Sequence, residues 1–158
     1  LRQWLGDMAA QDDRIQVVDH TLDRAGVDAL MRGCDAFISL HRSEGFGFGA
    51  AEALAAGKAV VATDYGGTTD FINELTGYPV AYALEPVRHG EYVQTKGQVW
   101  ATANADAAVE ALRKVYDSPG EADARARRGF ALLKEQQSLV VVGRRIAQIL
   151  EEHGPIQR

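Results

Sequence analysis

Short apolar runs and helical apolar stripes alternate along this chain. The runs at 35–40 and 59–62 have the length of strands and few polar positions, which is typical of strands buried on both faces of a parallel sheet. Shorter runs predict further strands at 14–19 and 78–83. Strands that alternate with helices predict an α/β fold, a Rossmann-like parallel sheet flanked by helices and built with right-handed crossovers.

Capping residues and apolar stripes predict the helices. Asp23 is placed to cap a helix that runs through Gly33, and Gly57 is placed to end a helix over 48–56 as a C′ glycine. Asn104 is placed to cap an amphipathic helix that 118–120 ends. Further helices are predicted at 1–10, 68–74, 121–134 and from 138 onward, although the run 139–142 is also compatible with a strand. Segment 85–100 has little periodicity and is predicted to be a long irregular excursion.

The length of 158 residues fits one domain. We expect residues 1–158 to form a single Rossmann-like nucleotide-sugar-binding domain with C-terminal helices over about 104–153. The first residue is Leu1, and a helix-like segment begins at once, which indicates a piece of a longer protein. The predicted domain is therefore incomplete at its N-terminus.

Charge and cysteine content exclude several function classes. The net charge of −5 argues against nucleic acid or an anionic membrane surface as the main partner. No apolar run approaches the roughly 20 residues that span a bilayer. The single cysteine, Cys34, cannot form an internal disulfide and fits a reducing compartment, so we place the protein in the cytoplasm and give Cys34 a packing role.

The most informative segment is the glycine-rich turn that follows the run at 35–40. It reads Glu-Gly-Phe-Gly-Phe-Gly from Glu44 and leads into a helix that carries Glu52. Such a turn presents free N–H groups and the positive end of the helix dipole to a phosphate, at the carboxyl end of a strand where α/β sheets bind ligands. Carboxylates repel phosphate but accept hydrogen bonds from hydroxyl groups. A phosphate flanked by hydroxyl-rich groups predicts a nucleotide sugar.

The same turn also matches the dinucleotide fingerprint G-x-G-x-x-A over 45–50. Asp64 lies about 20 residues further on, where a ribose-binding acid belongs. An NAD-binding oxidoreductase domain is therefore an alternative. Three features count against it: residues 41–44 intervene between strand and turn, Glu44 would lie beside the pyrophosphate, and Glu52 would have no role.

Glu44 and Glu52 are separated by seven residues, with Gly-Phe-Gly-Phe after the first. This pattern resembles the E-x7-E motif of retaining glycosyltransferases of group 1, or family 4, which have a two-domain, double-Rossmann architecture. Segments 53–63 and 64–71 also look like that family, and a weaker likeness extends to Trp100 and the helix after it. The resemblance covers most of the chain from about Arg14 and indicates the C-terminal, donor-binding half.

The resemblance implies a role for each residue of the turn. Glu52 would accept hydrogen bonds from the ribose 2′- and 3′-hydroxyls, a charge-assisted contact. Glu44 would be the catalytic-site residue, accepting from hydroxyls of the transferred sugar. Backbone N–H groups would bind the rest of the donor, those of Phe46 and Gly47 the sugar, and those of Phe48 and Gly49 the diphosphate.

The activity implied is transfer of a sugar from a UDP- or GDP-linked donor to an acceptor hydroxyl with retention, in bacterial-type polysaccharide or glycan synthesis. No metal and no cofactor are expected. The expected partners are the nucleotide sugar, a glycan or lipid-linked acceptor and a missing N-terminal domain, without which this chain would bind donor but not turn over. Peripheral membrane contact through that domain is a further expectation. A nucleotide-sugar epimerase and a non-catalytic interaction domain remain as alternatives.

Residues around the turn admit two interpretations each. Arg42 is placed either to pair with phosphate or to lie in solvent, and His41 is interpreted as a loop histidine. Gly66 and Gly67 either shape the sugar pocket or make an ordinary turn. Trp100 and Tyr82 are predicted to pack the excursion rather than stack on a base. Arginines of the C-terminal helices are predicted to lie on solvated faces: Arg125, Arg127, Arg128, Arg144 and Arg145.

Overall fold

The computed structural model describes residues 2–154 of the chain. A 3₁₀ turn covers Gly67–Asp70. The chain divides into two compact units, Leu1–Leu30 and Met31–Arg158. The helices and strands are α1 (Arg2–Gln11), α2 (Arg24–Gly33), β1 (Ala36–Ser39), α3 (Phe48–Ala55), β2 (Ala59–Thr63), β3 (Tyr78–Val80), β4 (Tyr82–Pro86), β5 (Val99–Ala103), α4 (Ala105–Asp117), α5 (Pro119–Gln137) and α6 (Leu139–His153).

The first unit contains α1 and most of α2, and the strand predicted at 14–19 is not formed. The Arg14 guanidinium instead donates to both carboxylate oxygens of Asp12, at 2.8 and 2.6 Å, and its hydrogen bonds lower the pKa of Asp12. Val17 and Val18 remain 43% and 49% exposed. A run of β-forming residues makes a strand only where a neighbour pairs with it, and none of the described residues pairs with this one. The predicted cap is confirmed, because the Asp23 carboxylate accepts from the Gly26 N–H at 2.8 Å.

The second unit is built on a parallel sheet with the order β1-β2-β3. Ala36 pairs with Ala59, and Val61 pairs with Tyr78. This sheet and its flanking helices confirm the predicted α/β fold class. Every residue of β2 is buried, whereas Ile38 in β1 is 42% exposed, so burial on both faces was correctly predicted for β2 and wrongly for β1.

Helices cover both faces of β2, whose side chains alternate between two core clusters. On one face, Val60 packs with Leu54 of α3 and Ala126 of α5. On the other face, Val61 packs with Ala108 of α4. Two further predicted caps are confirmed: the Asn104 side chain accepts from the Ala107 N–H at 2.9 Å, and α3 gives way to Gly57 at a positive φ of 75°. The run 139–142 is helical, as the start of α6.

The antiparallel hairpin of β4 and β5 includes the two ends of the predicted irregular excursion, at 85–86 and 99–100, whereas residues 87–98 form an irregular loop as predicted. Its strands pair from Tyr82 with Ala103 to Pro86 with Val99. The strand predicted at 78–83 is correspondingly two strands, because β3 belongs to the parallel sheet and β4 to the hairpin. All five residues of β4 are exposed, so the hairpin leaves no buried apolar run from which it could be predicted.

Arg125 is not on a solvated face, which corrects the prediction for it. Its side chain is only 21% exposed, donates to the Gly77 carbonyl at 2.9 Å and lies 4.5 Å from the centre of the Tyr78 ring. It also donates to Glu121, and that hydrogen bond lowers the pKa of the glutamate carboxyl. Burial raises the pKa of Tyr78. Arg128 likewise donates to Glu121 and to a backbone carbonyl, so the start of α5 is attached to the turn before β3.

Over residues 2–154, no helix combines the length and apolarity needed to cross a membrane.

Candidate functional site

The glycine-rich turn leaves the carboxyl end of β1 and opens α3, as predicted. Gly47 is the N-cap of α3, buried, with φ +91°, and a Cβ there would overlap the Thr68 side chain. Only glycine fits that position. The first intrahelical bond runs from the Ala51 N–H to the Gly47 carbonyl at 3.0 Å, so the N–H groups of Phe48 and Gly49 precede the helical ladder. The start of α3 therefore presents backbone donors and the positive end of the helix dipole together.

A second glycine turn, at 65–68, packs directly on the backbone of the first. The Gly67 N–H donates to the Glu44 carbonyl at 3.0 Å, and a Cβ on Gly66 would lie 2.7 Å from the same oxygen. A Cβ on Gly67 would overlap the Gly45 carbonyl. These glycines are therefore required for close backbone approach between the two turns, a role that the sequence analysis did not assign to them.

His41 connects the two turns. Its Nε2 lies 2.8 Å from the Tyr65 carbonyl, and its Nδ1 lies 3.2 Å from the Ser39 hydroxyl. Since a carbonyl only accepts, the network assigns the proton of a neutral ring to Nε2, which leaves Nδ1 to accept from the serine. The Thr68 hydroxyl is also 3.3 Å from Nε2. His41 is thus a half-buried brace between the ends of β1 and β2 rather than a simple loop residue.

Along the chain, Glu44 precedes the N-cap residue Gly47 by three positions and Glu52 follows it by five. Glu44 is exposed, and its Oε1 lies 3.1 Å from the Gly45 N–H. Glu52 is half-buried and follows Phe48 by four residues, on the side of α3 away from the buried Ala53 and Leu54. The two glutamates therefore stand on either side of the backbone donors along the chain.

Of the other predicted site residues, Phe46 and Gly49 contact the protein interior, whereas Phe48 is exposed. Phe46 is half-buried, with its ring centre 5.3 Å from that of Phe71 in the core, and it also contacts the exposed Phe48 at 5.1 Å. A Cβ on Gly49 would lie 2.9 Å from the Phe37 ring, so Gly49 permits α3 to pack closely on β1. A Cβ on Gly45 would meet nothing within 4 Å.

From the sequence alone, a valine at Gly47 is predicted to block a ligand and leave the fold intact, and the structure contradicts the second part of this prediction. The added side chain would collide with Thr68 and would need a left-handed backbone, which a β-branched residue adopts only at a high cost. Gly45 is the position where a side chain can enter the space around the turn without displacing protein atoms.

Arg42 lies against Trp100 of β5, with its guanidinium carbon 4.4 Å from the ring centre. Its carbonyl accepts from the Ala101 N–H at 2.9 Å. Neither interpretation of Arg42 anticipated this contact with the hairpin. Tyr82 packs its ring 5.1 Å from that of Tyr65, a residue outside the excursion that it was predicted to pack.

The family model described as "Glycosyl transferases group 1" matches residues 11–132. This chain belongs to that family. No curated protein matches its sequence significantly.

Solved structures resemble this group 1 glycosyltransferase chain at 18–20% identity, a level that shows the shared fold. Sucrose-phosphate synthase from Thermosynechococcus elongatus has a TM-score of 0.69 at 19% identity, over 96% of this chain and 34% of that one. The C-terminal domain of LpcC, a group 1 family protein of Francisella tularensis, has a TM-score of 0.65 at 20% identity, over 87% and 63%. HepE of Anabaena, in complex with UDP and glucose, has a TM-score of 0.62 at 18% identity, over 96% and 37%. The chain thus spans less than two thirds of each of these structures.

The family assignment favours the sugar-nucleotide interpretation of the turn over the dinucleotide one. Asp64, the ribose acid of the dinucleotide hypothesis, is exposed at the end of β2, and its N–H donates to the Val80 carbonyl at 3.0 Å. Among residues 2–154 no group of three or more His, Cys, Asp or Glu side chains is arranged to hold a metal ion.

Proposed function

We propose that this chain is the donor-binding domain of a retaining glycosyltransferase that uses a UDP- or GDP-linked sugar. The observation that carries the proposal is the start of α3, where backbone N–H groups lie outside the helical ladder at the carboxyl edge of the sheet, with Glu44 before them and Glu52 after them along the chain. Anion-binding backbone flanked by hydroxyl-binding side chains matches a diphosphate with a sugar on each side.

In this proposal the donor lies across the turn. The N–H groups of Phe48 and Gly49 bind the diphosphate, and Glu52, one turn into α3, accepts from the ribose hydroxyls. Glu44 accepts from hydroxyls of the transferred sugar, which the N–H groups of Phe46 and Gly47 also approach. The helix N-terminus then stabilises the charge that develops on the leaving diphosphate, which does not require a metal.

Transfer to the acceptor is proposed for a larger protein than this chain. The chain spans 34–63% of the length of the structures it resembles. Holding donor and acceptor together lowers the activation barrier of the transfer step by about 7–11 kcal/mol. This effect requires a protein surface that binds the acceptor. We therefore propose that residues 1–158 bind donor without multiple turnover. The acceptor hydroxyl belongs to a glycan or lipid-linked acceptor of bacterial-type polysaccharide synthesis in the cytoplasm.

HepE has been solved in complex with UDP and glucose and in complex with UDP-glucose, so UDP and UDP-glucose are the first probes. Calorimetric titration of the chain with UDP, GDP, UDP-glucose and NAD tests the proposal. We expect at least one nucleoside diphosphate to bind and NAD to give no heat. Preferential binding of NAD would instead support the dinucleotide interpretation.

Two substitutions test the division of labour between the glutamates. Glu52→Ala should weaken UDP and UDP-glucose alike by about 2 kcal/mol, the scale of a lost charge-assisted hydrogen bond. Glu44→Ala should weaken UDP-glucose only, because UDP has no transferred sugar. Glu110→Ala, which removes an exposed carboxylate of α4, is the matched control and should change neither affinity. Equal losses of UDP affinity in Glu52→Ala and Glu44→Ala would contradict the assignment of Glu52 to the ribose and Glu44 to the transferred sugar.

A further inference from the structure

The β4–β5 hairpin is attached to the residues immediately before the glycine-rich turn. Ala101 is completely buried and donates its N–H to the Arg42 carbonyl, so residue 42 hydrogen-bonds β5 on the edge away from β4. The Arg42 guanidinium covers one face of Trp100 at 4.4 Å. The hairpin and the turn are thereby held side by side within the second unit.

A cavity of about 440 Å³ lies between Ser43 and the loop that closes the hairpin. We call it the hairpin cavity. Ser43 is the residue directly before Glu44, so the cavity adjoins the proposed donor site. Its volume is in the range of small-molecule sites. Its polar and aromatic lining consists of Ser43, Tyr92, Gln94, Gln98 and Trp100.

The chemistry of this lining matches a neutral sugar. Glutamine amides and a serine hydroxyl both donate and accept hydrogen bonds, which is what the hydroxyl groups of a sugar require. Tyr92, whose side chain is largely exposed, and Trp100 supply apolar ring surface with polar edges. None of the described lining residues carries a charge, and the neighbouring Arg42 guanidinium lies against the Trp100 ring.

We propose that the hairpin cavity binds one neutral sugar unit beside the donor diphosphate. The inference rests on the proposed function for its setting, because the sugar belongs either to the donor or to the acceptor. A nucleoside base is the less favoured occupant. One face of Trp100 is already covered by Arg42, and a base would use fewer of the groups that can both donate and accept.

Trp100 can report on occupancy directly. The chain has two tryptophans, so Trp4→Phe leaves Trp100 as the only one. In that background, Trp100 fluorescence is titrated with UDP, with UDP-glucose, and with glucose, galactose and mannose. The same titrations are run on a variant that also carries Gln94→Ala and Gln98→Ala. Lys96→Ala is the matched control, since it alters an exposed residue of the same loop that does not line the cavity.

We expect the double glutamine variant to lose at least tenfold in affinity for a sugar-bearing ligand, with UDP affinity unchanged within twofold and Lys96→Ala without effect. A loss confined to UDP-glucose identifies the donor as the source of the sugar. A loss for a free monosaccharide identifies the acceptor. Thermal unfolding of the variants should match the parent, because both glutamines are exposed.

Three results would overturn the inference. The first is a loss of UDP affinity in the double glutamine variant as large as its loss of sugar affinity, which would make the cavity a base site. The second is no response of Trp100 fluorescence to any sugar-bearing ligand, and the third is a loss of sugar affinity in Lys96→Ala as large as in the double glutamine variant. Failure of UDP to bind while a sugar still perturbs Trp100 would count against the proposed function and leave the hairpin cavity as a sugar site.

Discussion

The two glycine turns at the carboxyl edge of the sheet look alike in sequence but do different things. In the turn at 65–68, added side chains on Gly66 and Gly67 would strike backbone atoms of residues 44–46. In the turn at 44–49, a side chain on Gly45 would project into open space. The second turn therefore uses both glycines for contact within the protein, whereas the first needs Gly47 and Gly49 for such contacts and leaves room beside its backbone at Gly45.

This difference shows how one loop supports the other. Residues 66–67 hold the Glu44 carbonyl, and His41 holds the carbonyl of Tyr65 in return. The exposed turn is thus fixed from behind by a turn that need not touch a ligand. A binding loop that is fixed in advance does not lose further conformational freedom when the ligand binds.

The largest expected effect comes from Gly67→Ala. Its Cβ would overlap the Gly45 carbonyl, and because backbone is the obstacle, the two turns must separate. We expect the free energy of unfolding to fall by about 3 kcal/mol, the upper range for overpacking, with loss of UDP binding. Chemical denaturation measures the change. Gly120→Ala, whose Cβ would meet nothing within 4 Å in α5, should be neutral or slightly stabilising. A Gly67→Ala protein as stable as the parent would contradict the described contact.

Gly45→Val should affect binding and not stability. Its side chain enters open space beside the proposed diphosphate site, and the backbone there has no positive φ. We expect the unfolding free energy to change by less than about 0.5 kcal/mol and UDP affinity to fall at least tenfold, about 1.4 kcal/mol. Denaturation and calorimetry measure the two quantities. Unchanged UDP binding would mean that the ligand does not approach this turn.

The smallest effect is expected for His41→Ala. The change removes the hydrogen bond to the Tyr65 carbonyl from a half-buried position, which should cost about 1 kcal/mol of stability. UDP affinity should fall less than in Gly45→Val, because the brace acts only through the loop. His20→Ala, at an exposed position of the first unit, is the control for stability. If His41→Ala weakens UDP more than Gly45→Val does, the division between supporting and presenting turns fails.

Much of the parallel sheet could be predicted from local patterns. Buried strands such as β2 are continuous apolar runs, and Asp23 and Asn104 mark helix starts through their own side chains. The hairpin could not be predicted, since β4 is exposed along its whole length and both strands depend on pairing between positions such as 82 and 103. The strand wrongly predicted at 14–19 shows the same dependence in reverse, because β-forming residues there find no partner strand among the described residues.

At the candidate site, residue types and spacing predicted where the turn lies and which groups it exposes. They could not show what lies behind it. The roles of Gly67 and His41 come from contacts 23 and 24 positions away, with Glu44 and Tyr65. Arg125 was misassigned for the same reason, since its carbonyl partner Gly77 lies 48 residues earlier. The ligand roles of Glu44 and Glu52 stay predictions.

The hydrogen bond from the Ala101 N–H to the Arg42 carbonyl allows hydrogen exchange at Ala101 to measure how often the loop at residue 42 separates from the hairpin. Because Ala101 is fully buried and its N–H points to residue 42 rather than to β4, its hydrogen can exchange with solvent only when the loop leaves the hairpin. Amides of the β4–β5 ladder exchange through opening of the hairpin itself. The ratio of these exchange rates therefore separates loop departure from hairpin melting in a single deuterium experiment.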